Sequence, residues 1–208
     1  MKRNMLLLGM LFLSGLAAQA QQRATAYEVS PAVAVRMPLQ GDSIDFTGKK
    51  FTFAELLKTK INLTTEGKTL NRMEADTAGY VSVDKASEDG LFYLFNTGLR
   101  AERFAKGTLN VYSPVRFEVY VNGKSMQTKE TVEDSLPQVR PVAVSLRLEP
   151  EADNDIVIKL LSLADDKAAP MLKCEFVCDK EFAEVPFRLE PGMKRRLSLY
   201  NTNFGNLF

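Results

Sequence analysis

The chain lacks histidine and tryptophan altogether, and it has only two cysteines among its 208 residues. A Ser-His-Asp or Cys-His site needs an imidazole that accepts and returns a proton near neutral pH, so both kinds of catalytic site are excluded. Neither a G-x-S-x-G sequence nor a glycine-rich phosphate-binding loop occurs. The sequence therefore assigns no catalytic residue and no cofactor, and it predicts that this chain is not an enzyme.

Metal binding and disulfide formation are also disfavoured by composition. Cys174 and Cys178 lie in LKCEFVCD, where alternation predicts a strand with both thiols on one face. Four residues of strand span about 13 Å, whereas a disulfide joins Cα atoms within about 7 Å, so we expect two buried thiols. A zinc site would need histidine or further cysteine ligands. The oxygen-rich Asp153-Asn154-Asp155 could contribute to a calcium site, although a turn between strands is the preferred interpretation.

The charge balance excludes further classes of partner. Lys plus Arg number 27 against 26 for Asp plus Glu, so neither a nucleic-acid footprint nor a polybasic membrane patch is predicted. The basic cluster 194–196 is interpreted as a solvated strand end or turn. The adjacent carboxylates Asp165 and Asp166 are interpreted as a solvated turn rather than an acid/base pair.

The N-terminus has the features of a secretory signal peptide. Lys2 and Arg3 precede an apolar run from Met5 to Leu16, and Ala18-Gln19-Ala20 forms the small-x-small cleavage pattern. The apolar run is shorter than the roughly 20 residues that a membrane helix needs, so no membrane anchor is expected. We predict cleavage after Ala20, which gives a periplasmic or secreted bacterial protein with a net charge of about −1.

Four segments are predicted. Residues 1–20 are the signal peptide, and residues 21–66 are an extended lead-in with one short helix, in which Thr52 and Glu55 form a capping box. Residues 67–200 are a β-sandwich, and residues 201–208 are a truncated linker toward a missing downstream domain. Apolar residues alternate with turn residues at the spacing of an antiparallel sandwich. The predicted strands are 68–73, 80–83, 91–95, 99–104, 108–112, 115–121, 124–128, 142–148, 156–161, 172–178, 187–189 and 197–200.

One hairpin is defined by its turn. Asn122-Gly123 supplies the two positive-φ positions of a type I′ turn, which predicts Val119 opposite Met126 and Phe117 opposite Thr128. The strand at 156–161 is apolar on both faces, so it is expected inside the sandwich or under the lead-in.

Exposed aromatic rings are the candidate carbohydrate platforms. The plausible tyrosines are Tyr93, Tyr112, Tyr120 and Tyr200. Tyr120, on the polar face of the hairpin, is the preferred residue of a ligand face, and Tyr112 is the second. A role in cross-strand packing is the favoured alternative for these rings.

Two resemblances connect these features with known proteins. The stretches GTLNVYSPVRFEVYVNGKSM (107–126) and VAVSLRLEPEADNDIVIKLLS (142–162) resemble galactose-binding-like jelly rolls, the non-catalytic sandwich domains of many exported hydrolases. MPLQGDSIDFTGKKFTFAELLKT (37–59), the sandwich and RRLSLYNTNFG (195–205) resemble the N-terminal region of exported serine peptidases of the prolyl oligopeptidase family. In that family a β-propeller and an α/β-hydrolase domain with the catalytic residues follow, and this chain contains neither.

The resemblances imply an all-β, antiparallel jelly-roll-type sandwich that acts as a non-catalytic accessory module of an exported multidomain hydrolase. Its expected partner is a downstream domain of the same protein or a separate hydrolase. The alternative is a stand-alone periplasmic carbohydrate-binding module that uses a tyrosine face.

Overall fold

The computed structural model describes residues 21–35, 70–87, 90–134 and 139–191. Within these ranges thirteen strands form two antiparallel sheets, so the predicted all-β jelly-roll-type sandwich is confirmed. A single 3-10 turn, Lys180–Phe182, is the helical element of the described ranges. None of their helical segments is long and apolar enough to cross a bilayer. The strands are β1 (Gln21–Arg23), β2 (Ala26–Val29), β3 (Val33–Val35), β4 (Asn71–Glu74), β5 (Val81–Ser82), β6 (Gly90–Ala101), β7 (Ala105–Tyr112), β8 (Arg116–Val121), β9 (Lys124–Lys129), β10 (Val142–Leu148), β11 (Asn154–Leu163), β12 (Met171–Cys178) and β13 (Phe187–Glu190).

The two sheets differ in size. The five-stranded sheet has the order β1-β12-β7-β10, with β5 also paired to β12. The eight-stranded sheet has the order β4-β2-β6-β11-β8-β9, with β3 and β13 also paired to β6. Segment 21–35, expected as an extended lead-in, therefore contributes strands to both sheets.

The core lies between the inward faces of the two sheets. Alternate residues of each strand point inward, which places Phe117 of β8 and Leu160 of β11 opposite Leu109 of β7 and Phe176 of β12. All four side chains are fully buried. Burial of large apolar side chains on both inner faces is the main stabilisation of such a sandwich.

The outward faces of the two sheets differ in exposure. β11 buries Ile156 and Ile158 in the core, and it also buries Val157 and Leu161 on its other face, at 3% and 1% exposure. The prediction that this strand is covered on both sides is confirmed. On the five-stranded sheet, by contrast, β7 alternates buried and half-exposed residues along its whole length. An open sheet surface is therefore found on the five-stranded sheet.

One strand prediction was wrong. The segments 91–95 and 99–104 were expected as two strands separated by Asn96, Thr97 and Gly98. They form the middle of the continuous strand β6, where all three pair with β11. Pairing on both sides overrides the local turn propensity, and Thr97 is fully buried.

The hairpin turn was predicted correctly, and its register was not. Asn122 and Gly123 have φ values of 50° and 77°, as a type I′ turn requires. A β-bulge between Val119 and Tyr120 shifts the pairing, so Val119 lies opposite Gln127 and Phe117 opposite Lys129. The bulge absorbs one extra residue of β9, and Phe117 keeps its place in the core.

A tertiary interaction accompanies the shifted register. The ammonium of Lys129, which is 7% exposed, donates to the Ser113 carbonyl at 2.6 Å and to the Glu133 carboxylate at 2.6 Å. The predicted register was obtained by counting residue pairs outward from the turn. It could not include the contacts of Lys129, because Ser113 and Glu133 lie outside the hairpin.

Some predictions fall outside the described residues. These are the signal peptide with Ala18 and Ala20, the short helix after Thr52, the basic cluster 194–196, the strand 197–200 with Tyr200, and the linker 201–208. They stay predictions.

Candidate functional site

The outward face of the five-stranded sheet presents a row of half-exposed side chains along β7. Lys106, Thr108, Asn110 and Tyr112 alternate with the buried residues of the strand. Gly107 is one of these buried residues, and a Cβ there would lie 2.6 Å from the Phe176 ring. The alternation gives the row its common direction, so a cation, a hydroxyl, an amide and a phenol line one open surface.

A lysine lies between two tyrosine rings at one end of this face. The Lys173 ammonium is 4.3 Å from the centroid of Tyr112 and 5.3 Å from that of Tyr80. Tyr112 and Lys173 are direct cross-strand partners of β7 and β12. Cation–π attraction at these distances holds both rings in place.

Glu175 anchors the same end of the face. This carboxylate is buried at 5% exposure and accepts Lys173 at 3.0 Å, Arg23 at 3.3 Å and Gln21 at 3.2 Å. Burial raises the pKa of Tyr112, and the Glu175 carboxylate raises it further. The phenol is therefore uncharged near neutral pH and can both donate and accept a hydrogen bond.

A compact turn positions the Tyr80 ring. The Asp76 carboxylate accepts the backbone N–H groups of Ala78 at 2.9 Å and of Tyr80 at 2.8 Å. Gly79 has φ 89°, and a Cβ there would lie 3.1 Å from Cδ of Lys173. Only glycine permits both this backbone conformation and this close approach to the lysine stem. The turn therefore fixes the backbone from which the Tyr80 side chain extends.

Tyr120 lies on the opposite side of the sandwich, within a buried polar cluster. Its hydroxyl donates to Glu118 at 2.6 Å, and Ser125 donates to the other carboxylate oxygen at 2.6 Å. The Lys159 ammonium is 3.3 Å from Glu118 and 5.7 Å from the centroid of the Tyr120 ring. Burial lowers the pKa of Lys159, and the Glu118 carboxylate opposes this shift.

The structure does not bring Tyr120 and Tyr112 together on one face. The two rings lie on opposite outward faces, because β8 and β7 belong to different sheets. Glu118 and Lys159 are only 3% and 6% exposed. Tyr120 therefore packs against buried side chains. Tyr93 is also excluded as a platform, because it is 5% exposed and donates its hydroxyl to the Asp84 carbonyl at 3.0 Å.

The hairpin residues have a structural role. The Asn122 side chain accepts the backbone N–H of Asp155 at 2.9 Å and donates to the Asn154 side chain at 3.0 Å. Asn122 therefore forms the turn with Gly123 and also ties it to the start of β11.

The three side chains of the oxygen-rich triplet contact different partners. Asp153 pairs with Arg100 at 3.1 Å, Asn154 bonds the Leu99 carbonyl at 3.2 Å, and Asp155 accepts the Asn96 amide at 2.6 Å. The side chains diverge, and across the described ranges no three Asp, Glu, Cys or His side chains converge as metal ligands. Asp153 precedes β11, whereas Asn154 and Asp155 are the first two residues of that strand.

Arg100 borders a cavity of about 500 Å³ at one end of the eight-stranded sheet. Its guanidinium contacts the carboxylates of both Glu151 and Asp153. Four carboxylates and two arginines line the cavity, and they are Glu102, Glu151, Asp153, Glu190, Arg100 and Arg188.

Two further chemical groups are structural. Asp166 was predicted in a solvated turn, but it is 4% exposed, pairs with Arg116 at 2.6 Å and accepts the Leu163 N–H at 2.9 Å. Cys174 and Cys178 are buried thiols, as predicted. Burial raises the pKa of Cys174 to about 12, so this thiol stays protonated and is a poor nucleophile.

Sequence reasoning missed Tyr80 and Lys173. The available signal was the alternation of β12, which places Lys173 and Glu175 on the outward side beside the predicted inward face. The partnership with Tyr80 had no local signal, because β5 and β12 are far apart in sequence and meet only in the sheet.

Several solved structures resemble this chain in fold, and their sequence identity to it is low. No family model matches the chain, and no curated protein matches it. A PA14 sugar-binding domain from an RTX adhesin is similar, with a TM-score of 0.47 and 9% identity over 79% of this chain and 96% of that one. A family 35 carbohydrate binding module from an environmental isolate has a TM-score of 0.33 and 19% identity over 50% of this chain and 80% of that one. The Ruminococcus gnavus beta-glucuronidase has a TM-score of 0.40 and 11% identity over 76% of this chain and 29% of that one.

Proposed function

We propose that the chain is a non-catalytic carbohydrate-binding module whose ligand lies on the outward face of the five-stranded sheet. The observation that carries this proposal is the arrangement of Tyr80, Lys173 and Tyr112 at the end of the half-exposed row of β7. A pyranose ring has a flat C–H face that can stack on a phenol ring, and its hydroxyls need nearby donors and acceptors. Aromatic rings with a polar edge, next to a few fixed polar groups, meet both needs.

The polar groups of the face suit hydroxyl recognition. Thr108 and Asn110 lie on β7, and Ser145 of β10 is the direct partner of Thr108. These side chains offer both donors and acceptors, and they belong to paired strands rather than to loops. A ligand would therefore meet groups whose positions are fixed by the sheet, which lowers the entropic cost of binding.

Calorimetric titration of the purified chain against a panel of neutral and acidic oligosaccharides tests the proposal. Tyr112→Ala should weaken binding about tenfold or more, since loss of about 1.4 kcal/mol corresponds to one factor of ten. Tyr112→Phe should retain most of the affinity because it keeps the ring. Tyr120→Phe, on the opposite side of the sandwich, is the matched control and should leave the affinity unchanged. Absence of heat with every oligosaccharide in the panel would contradict the proposal.

The role as an accessory module of an exported peptidase-type hydrolase stays a prediction. The two terminal segments that carry that resemblance, 37–59 and 195–205, lie outside the described residues. Carbohydrate binding is favoured here because it rests on side chains whose contacts are described.

A further inference from the structure

The outward face of the five-stranded sheet carries an excess of positive charge. Its cations are Arg23, Lys106, Arg147 and Lys173. At the outward positions of β1, β7, β10 and β12, all of which are described, Glu175 is the one carboxylate. A second carboxylate, Asp179, follows β12 directly and donates its backbone N–H to the Lys106 carbonyl at 2.9 Å. The chain as a whole is almost neutral, so this face is more positively charged than the chain as a whole.

The single carboxylate does not balance all of these cations. Glu175 is 5% exposed, and its oxygens already accept Lys173, Arg23 and Gln21. It is therefore shielded at the tyrosine end of the face and is compensated by its own partners.

Two cations at the other end face one another. Arg147 of β10 and Lys106 of β7 are direct cross-strand partners. Like charges in this position repel each other. Within the described ranges neither side chain forms a salt bridge, and the Lys106 ammonium lies 6.0 Å from the ring centroids of Phe104 and Phe182. An anionic group bound between the two would relieve the repulsion.

The spacing of these features indicates an extended ligand. Lys106 and Tyr112 are six residues apart on one strand, which corresponds to about 20 Å at roughly 3.3 Å per residue. Thr108 and Asn110 lie between them, and Ser145 lies alongside. The face is longer than a single sugar ring and continuous in its polar character.

We infer that this face binds an acidic oligosaccharide along β7, with a sugar ring on Tyr112 and a carboxylate or sulfate between Lys106 and Arg147. The inference rests on the proposed function and adds the class of ligand. Unlike the side chains around Arg100, which are already matched with carboxylates, the Lys106 and Arg147 pair offers two cations to one incoming anion.

A matched pair of ligands tests the inference. Hexagalacturonate and its fully methyl-esterified form share one backbone and differ in charge, and a chondroitin sulfate hexasaccharide supplies sulfate groups. We expect hexagalacturonate or the sulfated ligand to bind at least tenfold more tightly than the methyl ester. Affinity for the acidic ligand should also fall when the salt concentration is raised.

Variants that remove one positive charge show which cations bind the acidic group of the ligand. Arg147→Gln should weaken the acidic ligand about fivefold or more and leave the methyl ester unaffected. Lys124→Gln removes an exposed cation from the hairpin on the other sheet, and it should change neither affinity. Equal loss of affinity in both variants would overturn the assignment to Lys106 and Arg147.

The outcomes separate the class of ligand from the proposed function. Equal affinity for the acid and its ester would overturn the inference and leave carbohydrate binding intact. A single-stranded DNA 12-mer that binds as tightly as the acidic saccharides would also overturn it, because the face would then recognise polyanions in general. Failure of every saccharide, neutral and acidic, would contradict the proposed function itself.

Discussion

The buried thiol of Cys174 should make the protein less stable at alkaline pH. Its side chain is fully buried in β12, and burial raises the pKa of the thiol from about 9 to about 12. The native state therefore holds a proton that the unfolded chain releases. The stabilisation is fully present below the unfolded pKa and is lost as pH rises from there toward the folded pKa.

The size of the effect follows from linkage. Once the unfolded thiol is ionised, each further pH unit costs about 1.4 kcal/mol of unfolding free energy. With an unfolded pKa near 9, the loss from this one thiol amounts to about 1.3 kcal/mol between about pH 8.5 and about pH 10. Above that range the buried phenol of Tyr27, whose pKa burial also raises, adds a loss of the same sign.

Urea unfolding in the presence of a reductant measures this loss. The native chain and Cys174→Ala are compared at several pH values between about 7.5 and about 10. The alanine variant should lose about 1 kcal/mol at every pH through the small cavity, and its stability should fall less steeply above about pH 8.5. Cys178 is present in both chains, so its contribution cancels. Parallel curves for the two proteins would refute the reasoning.

Four further substitutions test the packing and the hairpin turn. Gly107→Ala places a Cβ 2.5 Å from a carbonyl oxygen of β12 and 2.6 Å from the Phe176 ring. It should cost about 2 to 3 kcal/mol, seen as a fall in Tm of about 5 to 10 °C, and an unchanged Tm would contradict the pairing of β7 with β12. Glu118→Gln leaves the buried Lys159 ammonium without its carboxylate and should cost about 3 kcal/mol. The double variant Glu118→Gln, Lys159→Met should regain most of the lost free energy of unfolding, as measured by urea unfolding. If the losses of the two single variants simply add, the two residues are not coupled. Gly123→Ala, at φ 77°, should cost about 1 kcal/mol in the same assay, and no loss would argue against the type I′ turn.

The strands were predictable where their pattern is local. The bounds 142–148 agree with those of β10, because strict alternation of apolar and polar residues is carried by neighbours in sequence. The turn at Asn122-Gly123 was predictable for the same reason, since the preference for positive φ belongs to those two residues.

The candidate site was only partly predictable. Tyr112 could be selected as an outward aromatic residue. Its partners Tyr80 and Lys173 come from β12 and from the turn before β5, which reach β7 only through sheet pairing. The burial of the groups around Tyr120 had no local signal, because Glu118 and Lys159 meet only through the pairing of β8 with β11.

The sequence by itself determined the fold class, the absence of histidine chemistry, the hairpin turn and the fate of the two cysteines as buried thiols. Each of these depends on composition or on contacts between near neighbours. Only the tertiary structure decided which sheet face is open, which tyrosines share it, and where the hairpin register shifts. Alternation marks the two faces of a strand, but it is the same whether the polar face meets water or a covering layer. Exposure is set by what packs above the sheet, and that is a property of the whole chain.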